Sequence, residues 1–288
     1  MVVDKPAGMT SHDVVGRCRR TFGQRRVGHG GTLDPDATGV LVVGLGAATR
    51  LLRFLSDLPK RYTGEVVLGT ATSTLDSAGE VIGTWDMSAV ELDDVRAAAA
   101  RLTGDILQVP PMVSAVKVGG RRLHELAREG VEVERAARPV TVSRFDVAPA
   151  AAPGVFAVDV ECSSGTYVRT LAADLGTLLG GGAHLRHLRR TAVGPFGLDA
   201  ARPLDEVGPH DVLPPAEALR GHERVVLADP DLVLAVGHGK VLDRATLGVP
   251  DQGEGPWAVV DGGGALLAVY QGHGEGRAKP AVVLATVP

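Results

Sequence analysis

The chain has 288 residues, 44% of them hydrophobic, and a net charge of −4. That length suits one large domain, or a large one with a small one beside it, with apolar material enough for a core. No apolar run is long enough to span a membrane, and the two cysteines, Cys18 and Cys162, give no metal framework and suit a reducing compartment, so a cytoplasmic protein is expected.

The charge is unevenly spread. Residues 1–60 hold nine basic side chains against five acidic ones, net +4, whereas residues 222–288 hold five against eight, net −3. The overall balance does not announce a nucleic-acid binder. An RNA partner, whose binding depends on local phosphate neutralisation, would meet the first segment. Aromatic residues make up only 3% of the chain, too few for a broad stacking platform.

Val2-Val3-Asp4 reads as a short strand that ends in the turn Lys5-Pro6-Ala7-Gly8. Thr10-Ser11-His12-Asp13 sets an acid three residues after a hydroxyl, a capping box. A helix is predicted from there to about Phe22, with Val14, Cys18 and Phe22 as its buried stripe. Arg17, Arg19, Arg20, Arg25 and Arg26 form a basic surface beside it, either a solvated face or a phosphate-binding one. Next comes Gly28-His29-Gly30-Gly31-Thr32-Leu33-Asp34-Pro35, a glycine-rich loop feeding a buried strand over 40–46. Pro35 keeps Asp34 out of the α region, so one carboxylate is held at the edge of a core strand. By itself such an aspartate is more often a turn or cap residue than a catalytic one.

A second strand is predicted over 62–69 and an Ala-rich helix over 89–102. A long excursion runs from Pro110 to Pro139, with a short helix near 123–128. Val155–Cys162 alternates cleanly, Phe156, Val158, Val160 and Cys162 against Asp159 and Glu161, as a half-buried strand does. A helix is predicted over 170–179, closed by three glycines. Past Pro203 the texture changes. Pro209, Pro214 and Pro215 mark an irregular segment, and the runs 257–261 and 266–271 around Gly262-Gly263-Gly264 signal a hairpin in a small β-rich unit.

Several chemistries lack their motifs: there is no phosphate-binding GK[ST] loop, no GxGxxG opening a helix and no nucleophile elbow. His184 and His187 have no evident third partner for a metal. What remains is the Asp34 loop with satellites at Lys5-Pro6-Ala7-Gly8, Lys60-Arg61-Tyr62, Ser163-Ser164-Gly165-Thr166-Tyr167-Val168-Arg169-Thr170-Leu171-Ala172-Ala173-Asp174-Leu175-Gly176 and Gly182-Ala183-His184-Leu185-Arg186-His187-Leu188-Arg189-Arg190.

In order and spacing these segments resemble the motifs of the TruB-type tRNA pseudouridine synthases over roughly Val2 to Arg190. The resemblance implies an α+β fold: a mixed, largely antiparallel sheet flanked by helices over 1–221, with an RNA-binding insertion at about 110–139. A small β-rich, PUA-like domain is implied over 222–288. It implies conversion of the uridine at position 55 of the tRNA T-loop to pseudouridine by a monomer, without cofactor, metal or membrane. Asp34 takes the role of the essential carboxylate, which attacks the sugar or acts as a general base.

Arg169 is implied as the partner that keeps Asp34 charged against the effect of burial, Tyr62 as the ring against the uracil, and Leu188 as the apolar wall. Lys5 belongs to the motif packed beside the loop and is expected near substrate, while Tyr167 supports Arg169 and Asp34. The target base must be extruded from its stack, and His29 fills the hole or stacks on flipped bases. Arg17, Arg25, Arg26, Arg186, Arg189 and Arg190 are expected to contact phosphates. Two alternatives share this scaffold, the catalytic subunit of an RNA-guided synthase and a non-catalytic tRNA-binding or folding factor. The acidic C-terminal part disfavours the first, and Asp34, Tyr62 and Arg169 together disfavour the second.

Overall fold

A computed structural model describes residues 1–114 and 116–284. The chain opens with β1 (Val2–Lys5), and the Thr10/Asp13 capping box starts α1 (Ser11–Thr21), which ends one residue before Phe22. Val14, Val15 and Cys18 form its buried face. There follow β2 (Val27–His29), β3 (Thr38–Leu45), the short helix α2 (Leu52–Ser56), β4 (Lys60–Leu68) and a hairpin of β5 (Thr70–Thr72) and β6 (Val81–Thr84).

The helix α3 spans Leu92–Arg101, starting later than the run of alanines suggested. Asp86 accepts a bond from the Ser88 backbone in a tight turn, and Glu91 with Asp94 forms the capping box that fixes the start. β7 (Gly104–Gln108) leads into the insertion, which holds β8 (Lys117–Val118), β9 (Arg121–Arg122) and α4 (Leu123–Arg128).

β10 (Arg138–Pro149) and β11 (Val155–Cys162) form a long hairpin, then α5 covers Val168–Leu178, two residues earlier than the sequence pattern indicated. Its N-cap, Tyr167, is held by Gln108, which accepts from the Tyr167 N–H at 2.7 Å and donates to its carbonyl at 3.1 Å. β12 (Ala183–Val193), β13 (Phe196–Gly197) and β14 (Arg202–Pro203) complete the first region. The second holds β15 (Glu223–Leu227), α6 (Pro230–Gly237), β16 (Leu242–Asp243), α7 (Arg244–Leu247), β17 (Trp257–Asp261), β18 (Leu266–Gly272) and β19 (Arg277–Val283).

The first ten-stranded sheet runs β14-β1-β3-β12-β4-β11-β10-β7, with β2 on β3 and β13 on β12. Its pairs are antiparallel except β1–β14 and β3–β12, so the expected mixed, largely antiparallel sheet is observed. α3 and α5 pack on it through Val95, Ala98, Leu171 and Leu175. Gly176 of α5 lies so close to β12 that a Cβ there would sit 2.4 Å from the Ala183 nitrogen, which brings the helix down onto the strand. The second, five-stranded sheet runs β15-β17-β18-β19-β16. Leu51 and Phe54 of the first region meet Ala258, Val260 and Val269 of the second in one apolar cluster. No helix among the described residues is long and apolar enough to cross a membrane.

Candidate active site

The parallel contact of β3 with β12, in the middle of the large sheet, places the glycine loop and the segment before Arg190 side by side. Gly39 makes that contact possible. It has φ of +103°, and a Cβ there would lie 2.1 Å from the Arg190 carbonyl oxygen, so no other residue fits. Three side chains then clamp the loop. The Ser11 hydroxyl bonds the Leu33 N–H at 2.9 Å and its carbonyl at 3.2 Å. Lys5 Nζ donates to the carbonyls of Pro6 and Pro35, each at 2.8 Å. The Arg190 guanidinium donates to Val40 O at 2.7 Å, Gly31 O at 3.1 Å and Thr32 O at 3.3 Å.

These clamps correct two expectations. Lys5 is fully enclosed, and burial lowers its pKa to about 8; it holds the loop and does not face substrate. Arg190 is 1% exposed and gives three of its five donors to backbone carbonyls, so it holds the loop and offers little surface to a phosphate. Both were read as binding residues because a sequence shows a cation but not how deep it lies.

The loop delivers Asp34 to the wall of a cleft of about 290 Å³. Arg169, 4% exposed at the start of α5, meets it with Nε at 3.0 Å from Oδ2 and Nη2 at 3.2 Å from Oδ1, a two-pronged pair. The remaining donors go to Thr74 O at 2.8 Å and Val113 O at 2.9 Å. A second carboxylate, Asp76, stands 3.5 Å from Arg169 Nε. The sequence pattern had not pointed to Asp76. Its Thr74-Leu75-Asp76-Ser77 setting reads as a turn, and indeed Asp76 accepts from the Ala78 N–H at 3.1 Å.

Asp34 is expected to be held ionised by Arg169, and Arg169 does pull in that direction. The net shift is nonetheless upward, because burial outweighs the guanidinium and Asp76 adds to burial. Part of the Asp34 side chain stays open, and it lines the cleft on one side and a second cavity on the other.

Tyr62 is half-buried in β4 and lines the cleft; burial pushes its phenol up, so the hydroxyl stays protonated. Leu188 reaches the same cleft through a defect in β12. The register with β4 breaks between Arg186 and Arg189, and His187 takes φ of +54°. A bulge of this kind re-aims a side chain. Leu188 also borders a smaller cavity of about 210 Å³ on the far side of Asp34 and Arg169. Tyr167 lines the main cleft with its backbone fixed by Gln108, another residue the sequence pattern had not marked.

His29 ends β2 and is not among the cleft-lining residues. Its ring meets His12 edge to face at 6.0 Å, and burial lowers its pKa, leaving a neutral imidazole. Of the outer arginines, Arg186 pairs with Glu65 at 2.6 Å, and Arg189 takes both Asp4 oxygens, at 3.0 and 2.6 Å. Arg17, Arg25 and Arg26 are exposed and form no ion pair among the described residues.

This assembly has known counterparts. The model of the TruB family pseudouridylate synthase N-terminal domain matches residues 19–168, and that of the tRNA pseudouridylate synthase B C-terminal domain matches 169–214. Both spans end before the second sheet. Among similar proteins, tRNA pseudouridine synthase B of Rhodococcus jostii is 47% identical, covering 99% of this chain and 93% of that one. Its namesake in Corynebacterium aurimucosum is 50% identical, covering 96% and 92%. The crystal structure of a Cbf5-Nop10-Gar1 complex contains a chain that superposes with a TM-score of 0.74 at 26% identity, covering 99% of this chain and 84% of that one. Motif order, fold and the matched span agree, and the chain belongs to the TruB family of pseudouridylate synthases.

Proposed function

We propose that the chain isomerises a uridine of tRNA to pseudouridine, that the target lies at position 55 in the T-loop, and that Asp34 is the group acting on the ribose. The observation that carries this reading is the Asp34–Arg169 pair at the wall of a cleft that also presents an aromatic ring and an apolar wall. Pseudouridine formation breaks the bond from ribose C1′ to uracil N1 and rebuilds it from C1′ to C5. It needs a carboxylate at the sugar, a pocket that holds the detached base, and a path for the C5 proton.

Asp34 supplies the carboxylate, as a nucleophile at C1′ or as a base toward the ribose. Arg169 and the loop clamps fix its direction, and Arg169 offsets part of the cost of ionising a carboxylate there. Uracil lies between the Tyr62 ring and Leu188. Because the Tyr62 phenol stays protonated, it orders the water that accepts the C5 proton instead of accepting the proton itself. Extrusion of the base costs a few kcal/mol. His29, on the rim outside the cleft, takes its place in the stack, which a neutral imidazole can do. Arg17, Arg25 and Arg26 hold phosphates, with Arg186 and Arg189 available where RNA displaces their carboxylates. Residues 1–221 form the catalytic unit and 222–288 a separate β-rich one, in a cytoplasmic monomer.

A stand-alone enzyme is favoured over an RNA-guided subunit because the curated relatives at 47–50% identity are named for tRNA. The test is incubation of the purified chain alone with unmodified tRNA, followed by chemical mapping of pseudouridine. Product at one T-loop position is expected without guide RNA or protein partner. Asp34→Ala should bind tRNA and make none. Normal turnover by that variant removes the assignment of Asp34, and a requirement for a guide removes the stand-alone reading.

A further inference from the structure

Lys60 lines the cleft, yet the reaction described above gives it no task. It is 6% exposed and opens β4 two residues before Tyr62. Alternation along the strand puts Lys60 and Tyr62 on one face, while Arg61 between them points outward and pairs with Glu161 at 2.8 Å. The two other cations of the cleft are engaged, Arg169 by two carboxylates and two carbonyls, Arg190 by three carbonyls. An ammonium carries three N–H donors. Among the described residues the structure gives Lys60 Nζ one acceptor, the Ser56 carbonyl that ends α2. Two donors remain, on a residue that lines the cleft two places along the strand from Tyr62, on whose ring a base would lie.

We propose that Lys60 is a catalytic residue, its ammonium donating hydrogen bonds to the carbonyl oxygens of the uracil while the base is detached from the sugar. The proposal rests on the reaction assigned above. When the C1′–N1 bond breaks, its electron pair stays on the uracil, and the negative charge spreads over N1, the adjacent O2 and, through the C5–C6 double bond, O4. The charge is discharged when C5 bonds to C1′, N1 gains a proton and C5 loses one. Lys60 transfers no proton, so substrate and product remain isomers. A fixed donor aimed at a charge that exists only during the reaction, in a site shielded from water, lowers the barrier without tightening substrate binding. It also keeps the free base against Tyr62 while it turns.

The groups facing Lys60 set when it is charged. Burial lowers its pKa to about 8; Arg190 of β12 lowers it too, while Cys162 of β11 and Asp57 after α2 raise it. Tyr62 beside it stays neutral, and Asp34 lies across the cleft. Lys60 is therefore an ammonium below about pH 8 and loses its charge above it.

The test measures single-turnover rate and tRNA affinity for wild type, Lys60→Met and Lys60→Arg between pH 6 and about 10, with melting curves alongside. Lys60→Met should lower the single-turnover rate about 10²-fold, the cost of one lost charge-stabilising donor, with tRNA affinity within about twofold. Lys60→Arg should keep more of the rate and move its alkaline limb well above pH 8, since a guanidinium stays charged there.

A Lys60 that only caps α2 would lower the melting point and leave the rate of the folded enzyme alone. That result overturns the proposal, as does an alkaline limb in Lys60→Arg identical to wild type. If Lys60→Met does not fold, the Lys60→Arg profile decides. Failure of wild type to make pseudouridine would sink the assigned reaction, whereas an active wild type matched by Lys60→Met sinks the role of Lys60 alone.

Discussion

Arg190 in the ten-stranded sheet and Arg244 in the C-terminal sheet are both buried, at 1% and 5% exposure, and both donate to backbone carbonyls. Arg190 ties the loop carbonyls of Gly31, Thr32 and Val40. Arg244 ties those of Pro250, Asp251 and Arg277, with its guanidinium 5.1 Å over the Trp257 ring. Carbonyl oxygens replace the water each cation gives up, and the cation fixes irregular backbone in return. The two regions differ in what stands beside this anchor. Next to the loop that Arg190 holds is Arg169, bound to carboxylates and facing a cleft. An arginine bound only to carbonyls sets geometry, and one bound to carboxylates also sets charge.

The sharpest way to break that distinction is Arg169→Gln. Loss of the pair should lower kcat by about 10²–10³, as removal of one positioned charge-stabilising group commonly does. The pH profile supplies the sign. Asp34 must be ionised, and its pKa is already raised by burial, with Arg169 as the main opposing influence. Activity carried by ionised Asp34 is present above its folded pKa and lost as pH falls through it. Without the guanidinium, burial and Asp76 are opposed by Lys5 alone, so the acid limb of kcat should move to higher pH. An unmoved or lowered limb would mean that Arg169 acts through geometry alone, like Arg190.

A second comparison substitutes the two anchors themselves. Arg190→Met and Arg244→Met each take the donor from three backbone carbonyls, of which Val40 O is the one in a fully buried bond, at up to about 1–3 kcal/mol for a group that water cannot reach. Both should lower the melting temperature. Only Arg190→Met should also reduce kcat per folded molecule, because only its carbonyls belong to the loop that aims Asp34. Equal loss of kcat in the two variants would dissolve the division of labour between the sheets.

Much of this was legible in the sequence. The capping box placed α1, period-two alternation gave β11 in full, and the glycine triplet with flanking apolar runs gave the β17–β18 hairpin. Asp34 was marked by its loop, Tyr62, Arg169 and Leu188 by the resemblance to the family's motifs, and the sheet brings them to one cleft. What stayed hidden depends on depth and on long-range register. Arg190 follows two less deeply placed arginines, Arg186 and Arg189, and looks like them, while Lys5 stands before a Pro/Gly turn that gives no sign of its depth. Asp76 arrives from a turn tied to the site by its bridge to Leu185 and by Arg169, contacts between segments far apart in the chain. The β12 bulge that aims Leu188 has no glycine to announce it, since His187 itself takes the positive φ.

The mildest test concerns the surface charge that separates the two regions. Arg25 and Arg26 are exposed, unpaired among the described residues, and lie just before the strand that carries His29. Each phosphate they neutralise releases counterion, so replacing both by Gln should weaken tRNA binding and reduce the salt slope of log K by about 0.7–0.9 per lost contact. Lys279 in β19 is also exposed but belongs to the net-acidic C-terminal part. Lys279→Gln should therefore leave the slope where it was. The slope counts contacts and ignores stability, so it reports location even where both proteins bind well. A drop at Lys279 as large as at Arg25 and Arg26 would place RNA across both sheets, and the C-terminal one would then have to be read as part of the binding surface.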